Sequence, residues 1–497
     1  MTRIIGFFYR IFLSHTIGPE GMGIYQLIFP IYALCFSLTA AGIQTAISRF
    51  VAWKVSLKDE QAARDILLVG LTISMILSIG TTILLYLNAD FLAINILDEP
   101  RCGDLLRIVS LSIPFGCVHS CVNGYYYGIK KANVPALSQL IEQLIRVFAS
   151  YVIYLMLKEQ GHMVGPAIAA IGIVLGEFVS MLFSATAIIG RFQKFPTFKQ
   201  VKSPYFTHAK NILSLSLPLT ANRILLNVLQ SAEAILIPIR LRLYGFDTSE
   251  ALSVYGVLTG MSLPLILFPS AITNSVAVML LPTISEAQAS DNHRMIARTI
   301  ENTIKYCLIL GILCTGTFLL FGSDLGTVFF DNSMAGSFIL VLAWICPFLY
   351  LTTTLNSILN GLGKTTTSFI HHCIGLGTRI LFVLFCIPKF GITGYLWGLL
   401  VSELIMTLLH IIDLKKYANL YFSAYNWIMK PLISLGISIG VVRFFQKILD
   451  YTMSLTPLLH MGVSFIILCI TYILLLTAFG SLTFDFFHSF MKRKDTL

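Results

Sequence analysis

The sequence predicts an all-α polytopic membrane protein with about fourteen transmembrane helices, arranged as two parallel six-helix lobes plus two C-terminal helices. Three observations predict it. Apolar runs of about 18 or more residues recur along the whole chain, each long enough to cross a bilayer as a helix. Of the 497 residues, 56% are hydrophobic and only 12% charged, about half the charge of a soluble domain, and mean hydropathy is +0.82. Lastly, the chain repeats itself at a spacing that separates equivalent points by six spans.

The expected spans are roughly 3–17, 22–50, 62–88, 104–128, 134–157, 164–190, 210–240, 251–284, 297–322, 335–361, 366–388, 392–414, 425–447 and 457–486. Loops after even-numbered spans are basic: Lys54, Lys58 and Arg64; Lys130 and Lys131; Arg191, Lys194, Lys199, Lys202 and Lys210; Arg294 and Arg298; Lys364; Lys415 and Lys416. The tail adds Lys492, Arg493 and Lys494. Loops after odd-numbered spans mix fewer bases with acids such as Asp90, Asp98, Glu99, Asp104, Asp324 and Asp331. Positive residues stay inside, so both termini are expected in the cytoplasm. The net charge of +10 therefore calls for no nucleic acid. No cleavable signal is expected, because the first apolar stretch lacks a small-residue cleavage site and leads into more membrane.

The first span is short. Seventeen residues precede Gly18, about 25 Å of helix, which barely crosses the ~30 Å hydrocarbon layer. Arg3 and Arg10 share a face with Phe7 and Ser14. Either this helix lines a wet interior or the true start lies upstream, and both are expected. The second span carries Tyr25, Gln26, Pro30, Gln44, Thr45, Ser48 and Arg49, the last a snorkelling anchor at the span's end.

The seventh span holds the most informative stretch, LPLTANRILLNVLQSAEAILIP. At about 100° per residue, Arg223, Asn227 and Gln230 fall on one face. Asn222 and Glu233 flank it. An arginine inside a span costs roughly 2.5–3.5 kcal/mol on insertion scales, so it should face protein or water. The stripe is expected to line a substrate cavity; the alternative is that Arg223 locks onto a neighbouring helix.

The repeat is direct. At an offset of 233, Pro114-Phe115 matches Pro347-Phe348, Asn123 matches Asn356, Gly128 matches Gly361, Lys131 matches Lys364 and Arg146 matches Arg379. At 226, Gly165 matches Gly391, Gly172 matches Gly398 and Glu177 matches Glu403. Spans 4–6 thus correspond to 10–12, and 1–2 more loosely to 7–8. An even number of intervening spans preserves direction, so the lobes are parallel repeats. The expected division is 1–206, 207–417, and 418–497 for the last two helices and the tail.

The repeat also sorts the charges. Arg146 and Glu177 lie mid-span on adjacent helices, as do Arg379 and Glu403. A pair recurring in both lobes is expected to be a structural ion pair. Glu142 gives Arg146 a local partner, where the second lobe has Gly375, so Arg379 is expected to be the less neutralised and the better candidate for substrate. Arg223 and Arg10 have no obvious counterpart in the other lobe and are assigned to substrate.

Other motifs carry little chemistry. The cysteines are scattered without a CxxC pair and are expected to be small apolar membrane residues. His371 and His372 point to different faces of one helix and do not easily ligate one metal. Gly361-Leu362-Gly363-Lys364-Thr365 lacks phosphate-loop spacing and ends a span. There is no nucleophile–base–acid set and no HExxH, so neither catalysis, a metal nor a cofactor is expected. Pro30, Gly42, Pro114, Gly116, Pro264, Pro269 and Pro347 lie inside spans; they read equally as ordinary kinks or as bending points for alternating access.

The segments TRIIGFFYR, IGPEGMGIYQLIFPIY, AGIQTAISRFVA, SQLIEQLIRV, LPLTANRILLNV and LLPTISEA resemble, in that order, the stage V sporulation protein B group. That group belongs to the multidrug/oligosaccharidyl-lipid/polysaccharide exporter superfamily, which also contains the lipid II flippases. The resemblance covers nearly the whole chain. It implies fourteen helices, two lobes, a central cavity, alternating access, and a role in cell-wall, peptidoglycan, polysaccharide or spore-cortex synthesis. The implied partner is an undecaprenyl-pyrophosphate-linked saccharide, with membrane lipids around it and H⁺, Na⁺ or membrane potential for coupling. By motif, Arg3 matches a first-helix arginine of the lipid II flippases. Tyr9 stands where a second is aligned, with Arg10 one place beyond, and Arg223 matches the sporulation-type pattern. On this basis Arg223, Arg10 and Arg3 are expected to hold the pyrophosphate through paired N–H donors. Asn227, Gln230 and Gln26 are expected to contact sugar or peptide.

Two other classes compete. A cation-coupled multidrug exporter of the same superfamily would need an acid in the cavity, and Glu233 is the candidate coupling acid. A membrane-embedded glycosyl- or acyltransferase would need a sizeable catalytic loop, and no connector here is long enough.

Overall fold

The computed structural model describes residues 2–193, 205–417, 420–452 and 456–482. Lys194, Lys199, Lys202, Lys492, Arg493 and Lys494, used above for the charge bias, lie outside the described residues, as does 483–486 of the last expected span. Among the described residues every regular element is a helix and none is a strand. Twelve helical stretches are long and apolar enough to cross a membrane, and the pair Cys102–Ser110 and Ser112–Gly128, bent by 41°, makes a thirteenth.

The stretch counted as Thr2–Ser56 is 55 residues long, about 80 Å as helix, more than twice the hydrocarbon thickness. It is broken at Gly18, with φ 69° and ψ 179°. That φ is one only glycine adopts freely, and the extended ψ suits a residue before proline, here Pro19. Taken as two crossings, it brings the total to fourteen. The chain is a multi-pass membrane protein.

Prolines divide what the sequence suggested were unbroken spans. Pro30 sits in the first turn of Phe29–Phe36, which a π-helical turn, Ser37–Ala41, joins to Gly42–Ser56. The expected span 251–284 is resolved into Thr248–Gly256, a π-helical Val257–Ser262, Leu263–Leu267 and Ser270–Ala289, with breaks at Pro264 and Pro269. A proline has no N–H to give the preceding turn, and its ring crowds the carbonyl there.

The described helices form two compact units, Met1–Gly260 with Ile380–Ile392, and Met261–Arg379 with Thr393–Leu497. In the first, the Thr2–Leu27 and Thr248–Gly256 helices cross backbone to backbone. A Cβ on Gly23 would meet the Leu252 carbonyl oxygen at 2.1 Å, and one on Gly256 the Pro19 oxygen at 2.1 Å. Such small-residue crossings are how membrane helices gain dispersion contact without a hydrophobic drive. Gly23→Ala is expected to destabilise the protein by about 1–3 kcal/mol, because the blocking atoms are backbone; thermal unfolding in detergent reads this directly. In the second unit the His293–Phe330 and Ser333–Leu342 helices meet the same way, a Cβ on Gly326 falling 2.2 Å from the Gly336 nitrogen.

Candidate functional site

The Tyr205–Tyr244 helix carries the polar stripe, and the structure divides it. Asn227 Nδ2 donates to Ser37 Oγ at 2.6 Å and to the Ala33 carbonyl at 3.3 Å. Ser231 donates to the Pro30 carbonyl at 3.3 Å. These bonds clip the helix to the second span. Arg223 and Gln230 are exposed and make no hydrogen bond or ion pair among the described residues. The helix-lock alternative for Arg223 therefore finds no partner among the described residues. Glu233 is buried and in electrostatic reach of Tyr255.

Arg10 lies on the first helix and donates from Nη1 to the Thr259 carbonyl at 3.1 Å. Thr259 belongs to the π-helical turn 257–262. In that register its carbonyl would pair with the amide five residues on, which is Pro264 and has no N–H. A local backbone defect thus supplies the acceptor that anchors Arg10. Its neighbour Tyr9 is buried and bonded to Ser150 at 2.8 Å. Arg3 is exposed on the same helix. Gln26 is half-buried with no hydrogen bond among the described residues. Beside it, buried Tyr25 is in electrostatic reach of both Arg10 and Arg146.

The two repeats solve their buried charges differently. In the second, Arg379 donates to Glu403 at 2.6 Å and to Ser402 at 3.2 Å. Glycine at 375 offers no carboxylate, so the arginine takes the acid on the neighbouring helix and is neutralised by it. In the first, Glu142 takes Arg146 one helical turn away. Glu177, at the position of Glu403, is left to His119, whose Nδ1 lies 2.9 Å from Glu177 Oε2. Tyr32 donates to the other carboxylate oxygen at 3.4 Å.

Sequence reasoning missed His119 and Tyr32. A signal existed: the first repeat has two mid-span acids for one arginine, and a surplus buried carboxylate needs another donor. The ligand atoms of His119, Glu142 and Glu177 all lie within 4.8 Å of one another. They are the first unit's candidate metal donors, but Arg146 already supplies the positive charge that a metal ion would bring.

A family model described as "Polysaccharide biosynthesis protein" matches residues 1–288. Stage V sporulation protein B of Bacillus subtilis (strain 168) is 29% identical over 425 residues, 84% of this chain and 81% of that protein. Lipid II flippase MurJ of the same organism is 22% identical over 493 residues, covering 91% and 86%. Among solved structures, Lipid II flippase MurJ in an inward closed conformation superposes with a TM-score of 0.73 at 16% identity, covering 96% of each chain. An inward-facing multidrug resistance MATE family transporter gives 0.65 at 17%, covering 84% of this chain and 95% of that one. The fold, the charged spans and these likenesses agree: the chain belongs to the polysaccharide biosynthesis protein family, is similar to stage V sporulation protein B, and shares its fold with MATE family transporters of the MOP superfamily.

Proposed function

We propose that this protein flips an undecaprenyl-pyrophosphate-linked saccharide of cell-wall or spore-cortex synthesis to the outer leaflet by alternating access through a cationic cavity. The observation that carries the reading is Arg223: an exposed guanidinium mid-span, with no partner among the described residues. A charge held at that depth without a counter-ion is suited to an anionic ligand. In this scheme Arg223, Arg10 and Arg3 hold the pyrophosphate, and Gln230 and Gln26 contact the sugar or peptide. Asn227 contributes through the stripe it anchors. Arg379, already bonded to Glu403, contributes to lobe integrity. The two lobes of this scheme are the sequence repeats 1–206 and 207–417, with 418–497 appended, and both termini lie in the cytoplasm. Reconstitution in vesicles with a labelled lipid-linked precursor, followed by its accessibility in each leaflet, tests the reading. Flipping at the protein-free rate would reject it.

A second reading, a cation-coupled multidrug exporter, is favoured by buried Glu233. Multidrug export protein MepA of Staphylococcus haemolyticus is 24% identical over 400 residues. Under the flippase reading, Glu233→Gln leaves precursor binding within about twofold, since the acid is not among its ligands. Proton- or sodium-driven drug efflux abolished by that change would favour the exporter instead.

A further inference from the structure

The equivalence of the repeats exposes a buried site that the transport scheme does not use. In the first repeat, Ser138 bonds Ser180 at 2.7 Å and Ser184 at 3.2 Å, closing the crossing of the Asn133–Glu159 and Ala167–Gln193 helices with self-satisfied hydroxyls. The offsets of 233 and 226 carry Ser138 to His371, Ser184 to His410 and Ala187 to Asp413. The same crossing in the second repeat is therefore filled by two imidazoles and a carboxylate. Packing alone does not require them.

Their hydrogen bonds fix what each ring offers. His410 is 0% exposed, and its Nδ1 lies 2.6 Å from the Met406 carbonyl. A carbonyl only accepts, so Nδ1 carries the proton and Nε2 is left a lone pair. His371 is 5% exposed, and its Nε2 lies 3.0 Å from Asp413. The neutral ring therefore donates from Nε2 and keeps its lone pair on Nδ1. These two remaining nitrogens, His371 Nδ1 and His410 Nε2, are both buried with no hydrogen-bond partner among the described residues. The ring centroids are 4.9 Å apart. Orphaned polar atoms at full burial cost about 1–3 kcal/mol each, and here two of one kind occur side by side.

A histidine that donates one N–H to a carboxylate or a backbone carbonyl and leaves the other nitrogen bare is the arrangement of a metal-ligating imidazole. We propose that His371 Nδ1 and His410 Nε2 bind a borderline divalent transition metal ion of the Zn²⁺ type, with water completing its shell. Two neutral nitrogen donors suit such an ion better than Mg²⁺ or Ca²⁺, which favour oxygen. Asp413 and the Met406 carbonyl orient the rings and hold their tautomers. His372, its centroid 6.3 Å from that of His410, is a further imidazole beside the pair. The ion would fasten the two helices at the end where Lys415 and Lys416 follow, a strap independent of the arginines assigned to substrate.

The test is metal binding by the full chain in detergent, stripped with chelator and titrated with Zn²⁺ and with Co²⁺ as a spectroscopic probe. The expected result is one ion per chain with imidazole scattering in X-ray absorption. Affinity should fall at least 100-fold in the His371→Ser/His410→Ser protein, whose residues copy the first repeat. Asp413→Ala, the first-repeat residue at the third position, should weaken binding about 10–100-fold as an orienting partner does. Wild type that binds no ion beyond the double variant, or an X-ray absorption spectrum without imidazole, would overturn the proposal. The wild-type measurements stand even if a variant fails to fold.

Discussion

Arg223→Ala is expected to lower precursor translocation by about 10–100-fold at unchanged expression and melting temperature. The guanidinium is exposed and unpartnered among the described residues, so its removal leaves no orphaned group inside the protein. The loss is that of charge-assisted bonds to the ligand, roughly 1.5–3 kcal/mol. Arg223→Lys should recover only part of it, because an ammonium cannot present the paired donors that span two phosphate oxygens. Leaflet accessibility of a labelled precursor, measured beside thermal unfolding, separates the two effects. A melting temperature that falls with the activity would make Arg223 a structural residue.

Arg379→Ala should do the opposite. Glu403 is buried, its side chain 6% exposed, and would keep a charge without its counter-ion. Breaking such a pair costs about 3–5 kcal/mol, whereas replacing both members by apolar groups of similar volume is often neutral. The single variant is expected to unfold well below wild type, and Arg379→Met/Glu403→Leu to recover most of the difference. A double-mutant cycle on the thermal midpoint gives the coupling. If the single variant melts like wild type but loses transport, Arg379 belongs with the substrate residues.

The helices were legible because a bilayer demands about 20 apolar residues per crossing, and the chain writes them in series. Their interruptions were less so. Pro264 and Pro269 were visible, but a proline does not say whether a helix bends, shifts to π register or ends; the neighbouring helices decide. The stripe on the seventh span was legible from angle alone, yet angle could not separate Arg223, left exposed, from Asn227, drawn to Ser37. The His119–Glu177 contact joins residues 58 apart in sequence; no periodicity links them, and only the charge count of the repeat points there. His371 was noticed beside His372, but its structural partner is His410, a full helix away. Pairing across helices is set by packing, which repeat alignment transfers only after one copy is known.

A cationic site for a lipid pyrophosphate is tested most directly by native mass spectrometry of the purified protein. Wild type is predicted to carry an undecaprenyl-pyrophosphate species that is absent from Arg223→Ala prepared in the same way. Bulk phospholipid alone in both samples, after supply of the precursor, would contradict the claim.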